Sequence, residues 1–195
     1  MSKEFLTEAE WYDKMKKNKH DGEFHMIIRK TTAADIDEIV PILDEARRTI
    51  AALGINQWQD GYPNRESIEA DLAKDYSYVL VNDGEVIGTF ALIPDGEPLY
   101  DVIENGHWTT GDDSRNYNAV HRVAIAVSSR GSGASTKLVQ FAADLSRMAG
   151  KTSVRIDTHE GNRVMRRMLE KHGFVHCGTI YLANGDPRVA YELVV

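Results

Sequence analysis

The chain has 195 residues, 42% of them hydrophobic and 27% charged, which is enough apolar content to close one sizeable core and an ordinary charge density for a globular domain. Its net charge of −7 argues against a nucleic-acid partner, which needs a basic surface to neutralise phosphates, and leans toward cationic acceptors. A single cysteine, Cys177, excludes an internal disulfide and a multi-cysteine zinc site; with no apolar run of membrane-span length and no signal-peptide core, the sequence reads as cytoplasmic.

Residues 1–25 are polar and charged, and Thr7-Glu-Ala-Glu10 has the form of a capping box for a short helix. The segment reads as an appendage, either a native arm or an added leader, ahead of a domain spanning 26–195. Met26-Ile-Ile-Arg-Lys30 predicts the first strand. Ile36, Ile39, Val40, Leu43, Ala46, Ile50 and Leu53 then recur at helical spacing with Gly54 as the stop, so a helix packs on the sheet, bent by Pro41 or carrying it in its first turn. An aromatic loop at 55–63 leads into a shorter helix through Ile68 and Leu72. Residues 78–92 read as two strands joined at Asp83-Gly84, a dipeptide that accepts the positive φ of a tight hairpin. The loop at 94–116 is long and rich in glycine, aspartate and aromatics, and such loops inside compact domains often carry function. A strand over 117–127, a helix over 136–149, a strand over 153–158, a helix over 162–174 and a closing hairpin, 175–180 with 189–195 around Asn184-Gly185, complete the order.

Chemistry concentrates where the strand at 123–127 breaks into Arg130-Gly-Ser-Gly-Ala-Ser135 and becomes a helix. Glycines 131 and 133 let the backbone turn and approach a ligand closely, while the first amides of the next helix have no internal partner and suit an anion. Arg130 adds a charged fork, so a diphosphate fits the nest. Neither the three-glycine spacing of a dinucleotide loop nor the Gly-Lys-Ser/Thr of a P-loop is present. Further on comes Asn162-Arg-Val-Met-Arg-Arg-Met-Leu-Glu-Lys-His-Gly-Phe174. In order and spacing the two segments resemble the Arg-x-x-Gly-x-Gly/Ala acyl-CoA loop and the Asn-x-x-Ala-x-x-Leu-Tyr-Glu-x-x-Gly-Phe signature of the GCN5-related N-acetyltransferase (GNAT) superfamily. The resemblance covers residues 26–195, with its specific part inside 121–174. It departs at Ser135, which replaces the last small Gly/Ala, and at Leu169, where many relatives carry a tyrosine general acid that leucine cannot replace.

The resemblance implies an α/β (α+β) fold with a central mixed, mostly antiparallel sheet of about six to seven strands, splayed at the acyl-CoA site and flanked by about four helices. It implies acetyl transfer from acetyl-CoA, as co-substrate and without a metal, to a primary amine of a small molecule or peptide; membranes are not expected as partners, and a homodimer is the assembly to test for. The backbone amides of Val123, Ala124 and Ile125 would then bind the pantetheine arm and acetyl oxygen, Arg130, Gly131, Ser132, Gly133, Ala134 and Ser135 would hold the pyrophosphate, and Asn162 would touch the CoA arm. A non-catalytic acyl-CoA-binding module is the alternative, since Leu169 removes one expected catalytic group. A regulator binding ATP or NAD is a further rival, though the glycine spacing and acidic partner of such sites are missing.

Acetyl transfer needs a polarised carbonyl, a neutral amine and a thiolate that can depart. By the period of two, His121 shares a strand face with Val123 and Ile125, which makes it the candidate base; a structural strand-end histidine is the other reading. His159 follows the next strand at a position facing the cleft of open sheets, or is a solvated loop residue. Tyr181 and Tyr191 are candidate acids or hairpin core aromatics. Acceptor recognition falls to Gln57, Trp58, Asp60 and Tyr62, and to the long loop with Tyr100, Trp108 and Asp112-Asp113, unless these aromatics cap the core. Cys177 reads as a small buried residue, and His172 with His176 is split by the helix end at Gly173-Phe174 and does not read as a metal pair.

Overall fold

The computed structural model describes residues 26–94 and 96–195; the Thr7–Glu10 capping box lies outside them. Strand β1 (Met26–Lys30) opens the sheet and is followed by α1 (Ile36–Ala51), whose Ile36, Ile39, Ile42, Leu43 and Ile50 are buried, as the helical spacing requires. Pro41 lies inside this helix, beyond its first turn. Asp35, just ahead, accepts both Arg29 Nη atoms at 2.7 Å and the Thr32 amide at 2.7 Å, fixing the strand-to-helix turn. Helix α2 (Arg65–Ala73) starts at Asn64, whose side chain accepts from the Ser67 amide. Strands β2 (Ser77–Asn82) and β3 (Glu85–Ile93) form the hairpin, with Asp83 and Gly84 at φ 50° and 92°, both positive as a tight primed turn demands.

Next come β4 (Tyr117–Ile125), α3 (Ala134–Met148), β5 (Ser153–Thr158), α4 (Arg163–Lys171), β6 (Val175–Tyr181) and β7 (Pro187–Val194). Among the described residues the seven strands form one sheet in the order β1-β2-β3-β4-β5-β7-β6, with β4 and β5 its parallel neighbours. That parallel pairing is short. It runs from Tyr117 opposite Ser153 to Ala119 opposite Arg155, after which the two strands part.

Side chains fill the space on both faces. Under α3 and α4, Tyr78, Phe90 and Phe141 meet with ring centroids 5.2–6.1 Å apart; under α1, Ile39 and Leu43 pack on Val79. The loop after β3 folds into a third cluster instead of standing open. Tyr100, Trp108 and Tyr117 are each 1% exposed, the Arg155 guanidinium stacks 4.2 Å from the Trp108 ring and 4.1 Å from the Tyr117 ring, and Glu192 receives its Nε at 2.8 Å. Tyr100 and Trp108 are therefore core residues of this loop. No helix among the described residues is long and apolar enough to cross a membrane.

Candidate active site

The parting of β4 from β5 coincides with a distortion in β4. Arg122 sits at φ 54°, and the register against β3 slips so that Arg122 and Val123 together face the single residue between Thr89 and Ala91. An extra residue of this kind bends a strand and resets its alternation. His121 consequently stacks on Tyr100, 6.0 Å between centroids, on the side of Tyr117 and Ala119, whereas Val123 and Ile125 pack with the α3 side. The period-of-two expectation that His121 shares a face with Val123 and Ile125 is thus corrected by the bulge. The Ala126 amide donates to the Ile87 carbonyl, so alternation turns the Ala124 amide toward β3 and the Ile125 amide toward the edge that β5 has left.

On one side of this splay lies a cavity of about 410 Å³ between α1 and α4, floored by Val123, Ala124 and Ile125. Its inner wall is apolar, with Ile50, Met165 and Met168, and its mouth is polar, with Arg130, Gly131, Gly133, Ser135 and Lys171. Gly131 and Gly133 hold φ 81° and 88°, and a Cβ added at either would meet nothing within 4 Å, so their open side faces space and their conformation disfavours other residues. Gly133 caps α3 without a side-chain bond, and the amides of Gly133, Ala134, Ser135 and Thr136 find no acceptor among the described residues. Four free amides at a helix start, flanked by Arg130 and Lys171, suit a diphosphate, and the methionine wall suits a flexible thiol arm. Ser135 Oγ lies 3.4 Å from His172 Nε2; burial, and then Lys171, push that imidazole down, keeping it neutral beside the mouth. Ser132 turns away, donating to the Ser129 carbonyl at 2.7 Å. Asn162, 6% exposed, lines the cavity, but its Oδ1 caps α4 by accepting from the Met165 amide at 3.2 Å and its Nδ2 donates to Gln57 Oε1 at 3.0 Å.

On the other side is a cavity of about 350 Å³. Trp58, Val123 and Met165 line both cavities, so the two meet at the bulged strand. Asp60 and Tyr62 lie on its wall with Glu97, His121, Asp157 and Arg188. His121 Nε2 is buried 3.3 Å from Glu97 Oε2, within ion-pair range although the angle is not that of a directed hydrogen bond. The imidazole beside it holds the Glu97 carboxyl below the usual carboxylate range, against the opposing effect of burial. Asp157 accepts from Tyr100 Oη at 2.7 Å, and burial, then the Asp157 charge, push that phenol well up, so Tyr100 stays a donor. Arg122 is consumed by Asp71, at 2.6 and 2.7 Å, and by Tyr62 Oη at 2.7 Å. Burial raises the Tyr62 phenol, which makes it a poor proton source.

The structure therefore brings together His121, Trp58, Asp60, Tyr62 and the amide-bearing strand, with Gln57 tied to Asn162 and to Thr158 Oγ1 at 3.5 Å behind them. It does not bring in His159, whose Nδ1 accepts the Gly161 amide at 3.0 Å in the turn before α4, nor Tyr181, which is 40% exposed with its phenol raised by Glu104. Tyr191 is fully buried, bonded to Glu170 and Arg166 at 3.0 Å. Leu169 is a core residue, 1% exposed. Sequence reasoning missed Glu97, Asp157 and Arg188 on one side and Lys171 on the other. Glu97 and Arg188 come from a loop and from the last hairpin, and no local spacing links either to β4.

A family model of the acetyltransferase (GNAT) family matches residues 37–174. The chain belongs to the GNAT acetyltransferase family. A GNAT-family acetyltransferase from Streptococcus agalactiae is 35% identical, with 89% of this chain and 98% of that one covered and a TM-score of 0.77. The fold is shared at lower identity by an acetyltransferase from Staphylococcus aureus, 24% identical over 86% of this chain and 98% of that one with TM-score 0.63. Ard1 from Thermoplasma volcanium shares it too, 17% identical over 87% of this chain and 97% of that one, TM-score 0.63. No curated protein matches the chain significantly. This GNAT protein is an acetyl-CoA-dependent N-acetyltransferase.

Proposed function

We propose that this GNAT enzyme acetylates a primary amine carried by a small molecule or short peptide, with acetyl-CoA in the 410 Å³ cavity and the amine entering from the 350 Å³ cavity. The observation that carries the reading is the meeting of the two cavities at Trp58, Val123 and Met165, where β4 has left β5. Acetyl-CoA, when bound, supplies an activated acetyl group on a thiol leaving group. The free amides of Gly133 to Thr136, with Arg130 and Lys171, hold its diphosphate, and the Ile125 amide at the open edge is the donor placed to polarise a carbonyl.

An amine attacks only as the free base, so the acceptor side must take up its proton. His121 is the acceptor in this reading. Glu97, kept ionised, sits against Nε2 and favours a proton there, which leaves Nδ1 as the atom to receive the amine proton, directly or through water. Acidic Asp60, Glu97 and Asp157 favour an incoming ammonium group. No phenol stands at Leu169, and a thiol with a free pKa of about 8.5 departs as thiolate without one.

The test is CoA thiol release from acetyl-CoA across a panel of primary amines, amino acids, polyamines and peptides, with the product identified by mass. Amine-dependent release is expected. Tight acetyl-CoA binding with no release for any amine would defeat the proposal.

A further inference from the structure

Resting on the acetyl-transfer reading, we propose that the acceptor is a zwitterion, an amino-acid-like molecule whose carboxylate is clamped by Arg188. Arg188, on β7, is 6% exposed and forms part of the acceptor wall. A buried guanidinium carries five N–H donors that require acceptors. Arg188 places one, Nη1 to the neighbouring Pro187 carbonyl at 2.8 Å. Its nearest carboxylate, Asp186, lies 3.9 Å away, too far for a hydrogen bond, and already accepts from Asn184 Nδ2 at 3.0 Å.

Half-buried Arg122 on β4 and buried Arg155 on β5 differ. Arg122 is forked onto Asp71 at 2.6 and 2.7 Å, and Arg155 reaches Glu192 at 2.8 Å and the Gly111 carbonyl at 3.0 Å. Arg188 is thus a buried fork facing a cavity, and Asp186, its one carboxylate in ion-pair range at 3.9 Å, leaves the fork's hydrogen bonds unfilled. The same cavity carries Asp60, Glu97 and Asp157, with Asp186 beside Arg188, and these carboxylates suit an ammonium and would repel a dianion such as a phosphate monoester. A cationic amine at one end and a single carboxylate at the other satisfy both sets of groups, and a volume of about 350 Å³ fits a molecule of amino-acid size. Planar bidentate pairing makes the carboxylate the natural partner of the guanidinium fork.

The experiment uses the full chain with acetyl-CoA and matched triplets built on alanine, lysine and 4-aminobutyrate: each amino acid, its carboxamide and its decarboxylated amine. At least one amino acid should exceed both of its partners in kcat/KM by roughly ten- to a hundredfold, the discrimination expected of a charge-assisted pair. Arg188→Gln should collapse that ratio toward one, and Arg188→Lys, which keeps the charge but not the fork, should leave an intermediate ratio; a melting curve confirms that each variant is folded. Decarboxylated amines used as well as their parents in every triplet, or a ratio that survives in Arg188→Gln, overturn the proposal. If no amine supports CoA release, the acetyl-transfer reading fails separately, and calorimetric binding of the same amino acids to the CoA-loaded protein decides the carboxylate question. Binding lost in Arg188→Gln supports it, and no carboxylate-dependent binding overturns it.

Discussion

Replacing Asn162 with alanine should destabilise the whole enzyme as well as its donor site. The side chain is 6% exposed and makes two internal bonds, a helix cap to the Met165 amide and a donation to Gln57 Oε1. Losing the cap costs about 1 kcal/mol. Gln57 is 8% exposed and would keep only a marginal contact to Thr158 at 3.5 Å, so its stranded carbonyl adds about 1–3 kcal/mol. The sum, about 2–4 kcal/mol, lowers the melting temperature by roughly 4–16 °C in a chain of this size. Because Gln57 adjoins Trp58, which lines both cavities, acetyl-CoA affinity should fall as well. Thermal unfolding by circular dichroism and calorimetric titration of acetyl-CoA measure the two effects. Asn162→Asp keeps a good cap and, with the Gln57 amide rotated, a partner for it, so it should stay within about 1 kcal/mol of wild type. An unchanged melting temperature in Asn162→Ala would refute the reasoning and return Asn162 to a role in ligand contact alone.

Gly133→Val forces a β-branched residue to φ 88°, costing about 1–3 kcal/mol, and screens the amides at the start of α3; the stabilisation that acetyl-CoA confers in a thermal-shift assay should disappear. Glu97→Gln and His121→Ala should each lower kcat/KM for the amine roughly ten- to a thousandfold while leaving acetyl-CoA affinity unchanged by calorimetry, and wild-type turnover at limiting amine should rise with pH as the amine loses its proton. Arg29 lowers the Asp35 carboxyl to about 2 from 3.8, so this ion pair stabilises the fold above pH 3.8 and its contribution is lost as pH falls toward 2. With Arg29 35% exposed, the pair contributes about 1 kcal/mol, and the stability gap between wild type and Asp35→Asn should close over that pH window in urea melts.

The geometry of the proposed donor site was legible in the sequence because its parts are local: two glycines that need positive φ, a helix start and a cation lie within one short segment. The hairpin turn at Asp83-Gly84 was legible for the same reason. The acceptor side was not. Arg122 adopts φ 54° although it is neither glycine nor asparagine, held there by Asp71 and Tyr62 from other elements, and this one distortion moved His121 to the opposite face. Tyr100 and Trp108 read either as recognition aromatics on an open loop or as core caps, and they cap the core: the Trp108 indole donates to the Tyr100 carbonyl at 3.0 Å, the two rings lie 5.3 Å apart, and Trp108 packs on Arg155. Glu97 is held in the site by its loop, its amide donating to Tyr117 Oη at 3.0 Å, and Arg188 reaches it through the sheet order, in which β7 is inserted between β5 and β6; residue spacing encodes neither.

The most direct measurement is a crystal structure of the enzyme with acetyl-CoA. The diphosphate should lie on the amides of Gly133 to Thr136, and the acetyl group should rest against Val123 with its reactive face open to the Glu97–His121 cavity. A diphosphate bound away from that helix start, or an acetyl group sealed off from the Glu97 side, would contradict the account.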